Sequence, residues 1–406
     1  MERKGLRVGF VGIGQAGSNF VDLVAASDEG TVDACVAMNT SSADLASLKV
    51  IGTSNRIPMT AAQAGAGKDR NKSYDALKMF EEPLRSLKAV FGDPANNVAN
   101  VDIIFVVFSA GGGTGSGTGP TVSTILHQVY KKHGIKVIAV TMVPSDKEGS
   151  AQEHSNAIGC IRELTSTGSF AVNFPIIVVD NGKFDKDDAN MSVRQKRFEI
   201  NKLTIDNLLA FVRFNGLSSV ENIDDADRMS VLSEPGIITL NSESISPVEG
   251  DLNPLDVAIK KAMAKSPTIA DTNISPKKVA IQFECEDKFL SQKHVNQLSG
   301  LFKNAIGRFN GFYDPITDTA SSSIINRVLV VTSGGVMSKK WIAEREALVA
   351  ALQVTENKVV EEEIFSENDS WVKTEWAKSE KEAEEEAESG DIVTDVMSKI
   401  TSLRNR

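Results

Sequence analysis

Two glycine-rich segments have the residue types and spacing to hold phosphate. The first, Gly12-Ile13-Gly14-Gln15-Ala16-Gly17, follows the apolar run Arg7-Val8-Gly9-Phe10-Val11 and precedes a helical pattern from about Ser18. A strand, a glycine turn and a helix in that order aim backbone N–H groups and a helix N-terminus at a pyrophosphate. Taken alone, this favours a nicotinamide or flavin enzyme. The acid that would bind the ribose about twenty residues on is missing, because Asn39 stands there in Met38-Asn39-Thr40. Its absence argues against a dinucleotide-dependent oxidoreductase. The second segment is Ser109-Ala110-Gly111-Gly112-Gly113-Thr114-Gly115-Ser116-Gly117, after the most apolar run of the chain and before a helix. Glycine at this density lets successive amides converge on phosphate oxygens, and Thr114 and Ser116 add hydroxyl donors. The Gly-Lys-Ser/Thr ending of a Walker A loop is absent. A flexible surface linker is the plainer reading, and the position directly after a central strand argues against it.

These loops need a scaffold that ends its strands at one edge. Ala34-Cys35-Val36-Ala37-Met38, Ile103-Ile104-Phe105-Val106-Val107-Phe108, Val137-Ile138-Ala139-Val140 and Ile176-Ile177-Val178-Val179 read as further strands. Their alternation with helical patterns predicts a doubly wound α/β sheet with ligands at the C-terminal strand ends. Residues 192–214 predict a long helix, with Ile205, Leu208, Leu209 and Val212 spaced as one buried face. Beyond it, strands at 279–283 and 328–331 and helices around 255–264, 291–306 and 339–352 predict a second, smaller α/β domain. From about 353 the chain is a charge run with few core-forming residues.

The segment Gly111 to Gly117 resembles the signature loop of the tubulin/FtsZ superfamily, and the resemblance extends over most of residues 5–350. Gly14-Gln15-Ala16-Gly17-Ser18-Asn19 resembles the first phosphate loop of tubulins and Met38-Asn39-Thr40 the second. Gly65-Ala66-Gly67-Lys68 resembles the third, which in the family faces the γ-phosphate. Gly111, Gly112, Gly113, Thr114, Gly115, Ser116 and Gly117 form the fourth. Pro144-Ser145-Asp146-Lys147-Glu148-Gly149 resembles the fifth, where Glu148 would approach the ribose. Val179-Asp180-Asn181-Gly182-Lys183 resembles the sixth, whose Asn181 would contact guanine. Asn201 matches the family's second guanine-reading asparagine; an amide side chain can donate to the guanine carbonyl and accept from its ring N–H. Asn222-Ile223-Asp224-Asp225-Ala226-Asp227 resembles the synergy loop, whose acids enter the nucleotide site of the next subunit. Its bland alternative is an acidic loop that caps a helix. Two positions depart from FtsZ: Gln152 stands where its fifth loop has arginine, and Arg197 where a guanine-stacking aromatic is expected. Phe198, three residues before Asn201, shares its helix face and is carried over as the stacking ring. The Asp146-Lys147-Glu148 and Asp180-Asn181-Gly182-Lys183 segments look most like the TubZ group of plasmid- and phage-encoded partition tubulins.

The resemblance implies a tubulin/FtsZ-like α/β fold: a Rossmann-type GTP-binding domain over 1–191, a central core helix over 192–214, the synergy loop and a C-terminal α/β domain over 215–352, and an acidic tail, helical or disordered, over 353–406. It implies an assembly-activated GTPase that converts GTP to GDP and phosphate. Mg²⁺ would be held by phosphates and waters, since no protein ligand for it is evident. Asp227 would orient the attacking water with Asp224 beside it, and Asp225 would be a spectator. The implied partners are further copies of the chain, head to tail, and a DNA-bound adaptor engaged by the C-terminal tail. There Ile392, Val393, Val396, Ile400 and Leu403 recur near heptad spacing. An FtsZ-type division-ring protein and a phage cytoskeletal protein that centres replicating DNA are the alternatives within the family.

Composition narrows the classes further. The chain of 406 residues is 41% hydrophobic and 24% charged, as in an average globular protein. No apolar run approaches the ~18–20 residues of a membrane helix. Met1-Glu2-Arg3-Lys4-Gly5 shows no signal peptide, so a cytoplasmic location is expected, and the resemblance to the TubZ group implies that of a bacterial host. The net charge of −10 is uneven: residues 356–391 carry −10, 392–406 carry +2 and the remainder −2. A nearly neutral body has no global attraction for nucleic acid, which argues against direct binding. Cys35, Cys160 and Cys285 fit no zinc spacing and read as buried thiols. His127, His133, His154 and His294 form no zinc motif.

Overall fold

The computed structural model describes residues 5–27, 32–59, 65–78, 80–93, 96, 98–165, 175–183, 191–213, 223–250, 252–289, 291, 293–294, 310–316 and 326–363. Strands and helices alternate first: β1 (Val8–Ile13), α1 (Gly14–Ser27), β2 (Val32–Asn39), α2 (Ser42–Ala46), β3 (Arg56–Pro58), α3 (Arg70–Leu77), α4 (Glu81–Phe91), β4 (Ile103–Ser109), α5 (Gly113–Tyr130), β5 (Lys136–Val143), α6 (Ala151–Thr165) and β6 (Pro175–Asp180). Then come α7 (Val193–Val212), α8 (Asp225–Leu232), β7 (Gly236–Ser244), α9 (Pro254–Ala264), β8 (Lys278–Glu284), β9 (Asn310–Ile316), β10 (Arg327–Gly335) and α10 (Lys339–Glu363).

The strands form one sheet in the order β3-β2-β1-β4-β5-β6-β7-β10-β8-β9. Pairing is parallel from β3 to β7, and β10 runs antiparallel to both of its neighbours. β1 has β2 on one side and β4 on the other, so the chain reverses its direction of travel there. The ends of β1 and β4 flank the crevice where such sheets bind ligands. β6 pairs with β7 from Pro175↔Gly236 to Ile177↔Ile238. The sheet is therefore continuous through the boundary at which the second α/β unit was expected.

Both faces of the parallel part are covered, which is why its strands read as continuous apolar runs. Phe20 of α1, Leu208 and Phe211 of α7 and Val231 of α8 pack on one face. Leu126 of α5, Ile161 of α6 and Trp341 of α10 pack on the other. α9 covers β8 and β10 with a separate cluster around Leu255 and Phe283. The apolar stripe expected on the long helix is the buried one: Ile205, Leu208, Leu209 and Val212 are all 3% exposed or less. Ser192 caps that helix by accepting from the Gln195 N–H at 3.2 Å.

Two expectations change, and a third falls largely outside the described residues. The last helix runs to Glu363, so the segment read as tail from 353 begins as its closing turns. Cys35 is half-buried, whereas Cys160 and Cys285 are buried. The helix expected over 291–306 falls mostly outside the described residues, as does the C-terminal segment after 363. Among the described residues no helix is long and apolar enough to cross a membrane.

Asp22 on α1 shapes the return from α2 to β3. Its carboxylate accepts from the backbone N–H groups of Lys49, Val50 and Ile51 at 2.9, 2.8 and 2.9 Å. Burial alone raises its pKa, but those amides and Arg56 together hold it below the ordinary 3.8. A depressed carboxyl pKa stabilises the fold above the unfolded value, and the contribution is lost as pH falls. Asp22→Asn is therefore expected to cost about 1 kcal/mol in urea unfolding near neutral pH. The difference from wild type should shrink as pH drops below about 4.

Candidate functional site

The first four loops meet at the crevice between β1 and β4. Gly14 has φ +71°, and a Cβ there would lie 3.1 Å from the Gly115 nitrogen, so the first and fourth loops touch backbone to backbone. The Thr40 and Thr114 hydroxyls hydrogen-bond at 2.7 Å, which joins the second loop to the fourth. Asn39 is 2% exposed; its amide nitrogen donates to Asp44 at 3.0 Å and its oxygen accepts from the Ser41 N–H at 3.3 Å. Gly113 backs onto Ala66, Lys68 and Asp69 of the third loop, each 3.0 Å from where its Cβ would be. Lys68, with φ 65°, is the one non-glycine residue in the left-handed region among the described residues. Its side chain meets Glu153 at 3.3 Å. Burial tends to raise the Glu153 carboxyl, but the Ser150 amide and Lys68 hold it below its ordinary pKa.

The glycines of the fourth loop divide by purpose. Gly112 is the N-cap of α5, so the amides of Gly113, Thr114 and Gly115 form an open helix N-terminus, the kind of end that binds anions. A Cβ on Gly115 would approach the Ser109 carbonyl to 2.8 Å, and one on Gly117 the Ser73 hydroxyl to 1.8 Å. Those two are glycine because the chain packs against them. Gly112 differs: its φ −75° and ψ 170° suit any residue, and its Cβ would meet nothing within 4 Å. Nothing among the described residues requires glycine there, whereas close approach by an outside group would. The hydroxyls expected to serve as donors are otherwise engaged. Ser116 donates to the Gly112 carbonyl and is fully buried, and Thr114 is bonded to Thr40.

The fifth and sixth loops extend the same rim. The Asn181 N–H donates to the Val143 carbonyl at 3.2 Å, which joins the ends of β6 and β5. Glu148 is gripped from α7 by Lys196 at 3.4 Å and Arg197 at 3.1 Å. The carboxylate expected at a ribose is thus ion-paired, and Arg197, at the position expected to be aromatic, supplies one of the pairs. Phe198 is 45% exposed and Asn201 half-buried one turn later. Gln15, Ala16 and Asn19 lie exposed along the first turns of α1.

This geometry accords with the comparisons. Residues 7–186 match the model of the tubulin/FtsZ family GTPase domain. Residues 7–186 are thus similar to a tubulin/FtsZ-family GTPase domain. The chain is 26% identical over 260 residues to a tubulin-like protein TubZ of Clostridium botulinum C phage, 64% of each chain. It is 29% identical over 233 residues to a tubulin-like protein CetZ of Thermococcus kodakarensis, 57% of each. It thus spans less than two thirds of the length of either relative. Its fold matches the crystal structure of a GTPγS-form TubZ protofilament of Bacillus thuringiensis serovar israelensis with a TM-score of 0.70 and 18% identity, covering 88% of this chain and 94% of that one.

In this tubulin-like chain the acids of the expected synergy loop are not at the rim. Asp224 is the N-cap of α8 and accepts from the Asp227 N–H at 2.8 Å, while Asp227 accepts from the Asp224 N–H at 3.4 Å. This reciprocal capping is the bland alternative weighed for the motif, and both residues remain solvent-accessible. Asp225 pairs with the buried Arg228 at 3.8 Å, and Arg228 donates to the Ile223 carbonyl, so the turn is pinned from below. Among the described residues, no group of three or more His, Cys, Asp or Glu side chains could hold a metal ion.

Sequence reasoning missed Asn156 of α6. It is 3% exposed and donates to the Lys68 carbonyl at 2.8 Å and the Gly111 carbonyl at 3.1 Å, while its own oxygen accepts from Gln152 at 2.9 Å. One side chain thereby ties the third loop to the fourth. Nothing in its local sequence marks it, because both partners are backbone carbonyls brought near by folding.

Proposed function

We propose that this chain is a GTPase that assembles head to tail and hydrolyses GTP at the contact between copies. One observation carries the reading: the two halves of the expected site lie at opposite edges of the sheet. The loops sit at the C-terminal ends of β1 to β6. α8 leads into β7, which begins at Gly236 opposite Pro175, the first residue of β6. The exit from α8 therefore lies at the far edge. α7, 20 residues and about 30 Å long, has its first turns on Glu148 and spans that distance. Asp224 and Asp227 cannot reach a nucleotide held by their own loops, but those of a second copy can. Such a contact is heterologous and propagates as a filament unless it closes into a ring.

In this reading the α5 N-terminus and the surrounding amides bind the phosphates. Asn181 and Asn201 read the guanine, and Phe198 stacks on it. Mg²⁺, held by phosphate oxygens and water, neutralises phosphate charge when bound. Asp227 orients the water, with Asp224 beside it. Loss of the γ-phosphate then weakens the contact through Gly65 to Lys68. The finer role is positioning or segregation of plasmid or phage DNA, with the C-terminal tail engaging a DNA-bound adaptor. Its support is the TubZ-like fifth and sixth loops and the similarity to a phage TubZ.

Right-angle light scattering with simultaneous phosphate release tests the assembly reading. GTP should raise scattering, which then decays as phosphate appears. A slowly hydrolysed GTP analogue should hold it, and ATP should not raise it. Turnover that is independent of protein concentration would refute hydrolysis at a subunit contact.

A further inference from the structure

Arg345 lies on α10, outside the matched GTPase domain, and is only 3% exposed. Its guanidinium pairs with the Asp146 carboxylate of the fifth loop and stands 3.8 Å from Asp180 Oδ1 of the sixth. It also lies over the Trp341 ring, 5.1 Å from the centroid and one turn back on the same helix, which limits where it can point. Asp180 in turn accepts from the Gly182 N–H at 2.8 Å. That bond closes the turn in which Asn181 sits. A cleft of about 580 Å³, lined in part by Asp146, Asp180, Trp341 and Arg345, opens beside the group. Burial raises the Asp180 pKa, while the Gly182 amide and Arg345 oppose the rise. Without the guanidinium the carboxylate would lose a counter-charge that favours its ionised form.

We propose that Arg345 is a positioning residue for base selection: through Asp180 it fixes the turn that presents Asn181, so that discrimination for guanine depends on α10. This rests on Asn181 reading the base, as proposed above. Phosphate binding is carried by other loops, so the two contributions to affinity are separable.

The test displaces a fluorescent GTP analogue from the full chain with GTP or ATP. Wild type should prefer GTP. Arg345→Met is expected to cut the GTP-to-ATP affinity ratio about tenfold by weakening GTP alone, the scale of removing one close counter-charge from a buried carboxylate. Arg345→Lys keeps the charge but not the planar fork, and should lose about threefold. If Arg345→Met does not fold, judged by its thermal melt, the lysine variant decides. An unchanged ratio, or equal losses for GTP and ATP, would overturn the assignment, the second by showing a merely structural role. A wild type that binds ATP as tightly as GTP would instead overturn the guanine reading itself, and this shows without any variant.

Discussion

Asp227→Ala is expected to lower GTP turnover by at least about 100-fold, the usual scale for a group that acts on the proton of the nucleophile. Nucleotide affinity should stay within about twofold, because Asp227 lies at the edge of the sheet away from the loops. Filaments formed with GTP should persist, since the step that weakens the contact no longer occurs. The substitution also removes the acceptor for the Asp224 N–H, a 3.4 Å bond at an accessible helix end. Loss of such a cap costs about 1 kcal/mol and does not by itself explain a loss of turnover. Asp227→Asn keeps an acceptor for the cap and should lose turnover nearly as far. Phosphate release at wild-type rate in either variant would remove Asp227 from the mechanism.

Gly112→Ala is expected to leave the fold nearly unchanged and to weaken GTP binding by at least about tenfold. Alanine is a poorer N-cap than glycine, while it lowers the entropy of the unfolded chain, so the net change in stability should stay within about 1 kcal/mol. The added methyl stands at the N-cap of α5, where no described residue places an atom within 4 Å. Equilibrium binding of a fluorescent GTP analogue, read beside a thermal melt, separates the two effects. Unchanged affinity would mean that the phosphates lie elsewhere. This variant also gives a test in trans. At a GTP concentration that fills Asp227→Ala but leaves Gly112→Ala mostly empty, the first variant keeps nucleotide without the acid and the second keeps the acids without nucleotide. A mixture of the two should then turn over GTP faster than either alone, provided that the contact is head to tail.

Much of the candidate site was legible because phosphate-binding chemistry is local. Gly12 to Gly17 and Ser109 to Gly117 each join a strand to a helix within a few residues, so adjacent amides and a helix N-terminus follow from the sequence alone. The buried stripe of α7 was equally plain, because helical periodicity fixes which residues share a face. Less visible was the division of work within the glycine loop. Gly115 and Gly117 are glycine because Ser109 and Ser73 approach them, and those neighbours are known only after folding. The Ser116 hydroxyl, which looked available as a donor, turns back on its own helix. Lys196 and Arg197 engage Glu148 from residues 48 and 49 positions away in the chain.

The alternation of elements, the edge of the sheet at which the candidate loops gather and the apolar face of the long helix were legible in the sequence. These depend on periodicity and on backbone chemistry at fixed short spacings. Tertiary structure alone decided that Asp224 and Asp227 lie at the opposite edge from the loops, that Asn156 joins two loops through their carbonyls, and that Arg345 of the last helix reaches the fifth and sixth loops. Each of these depends on strand order and register, which bring together residues far apart in the chain.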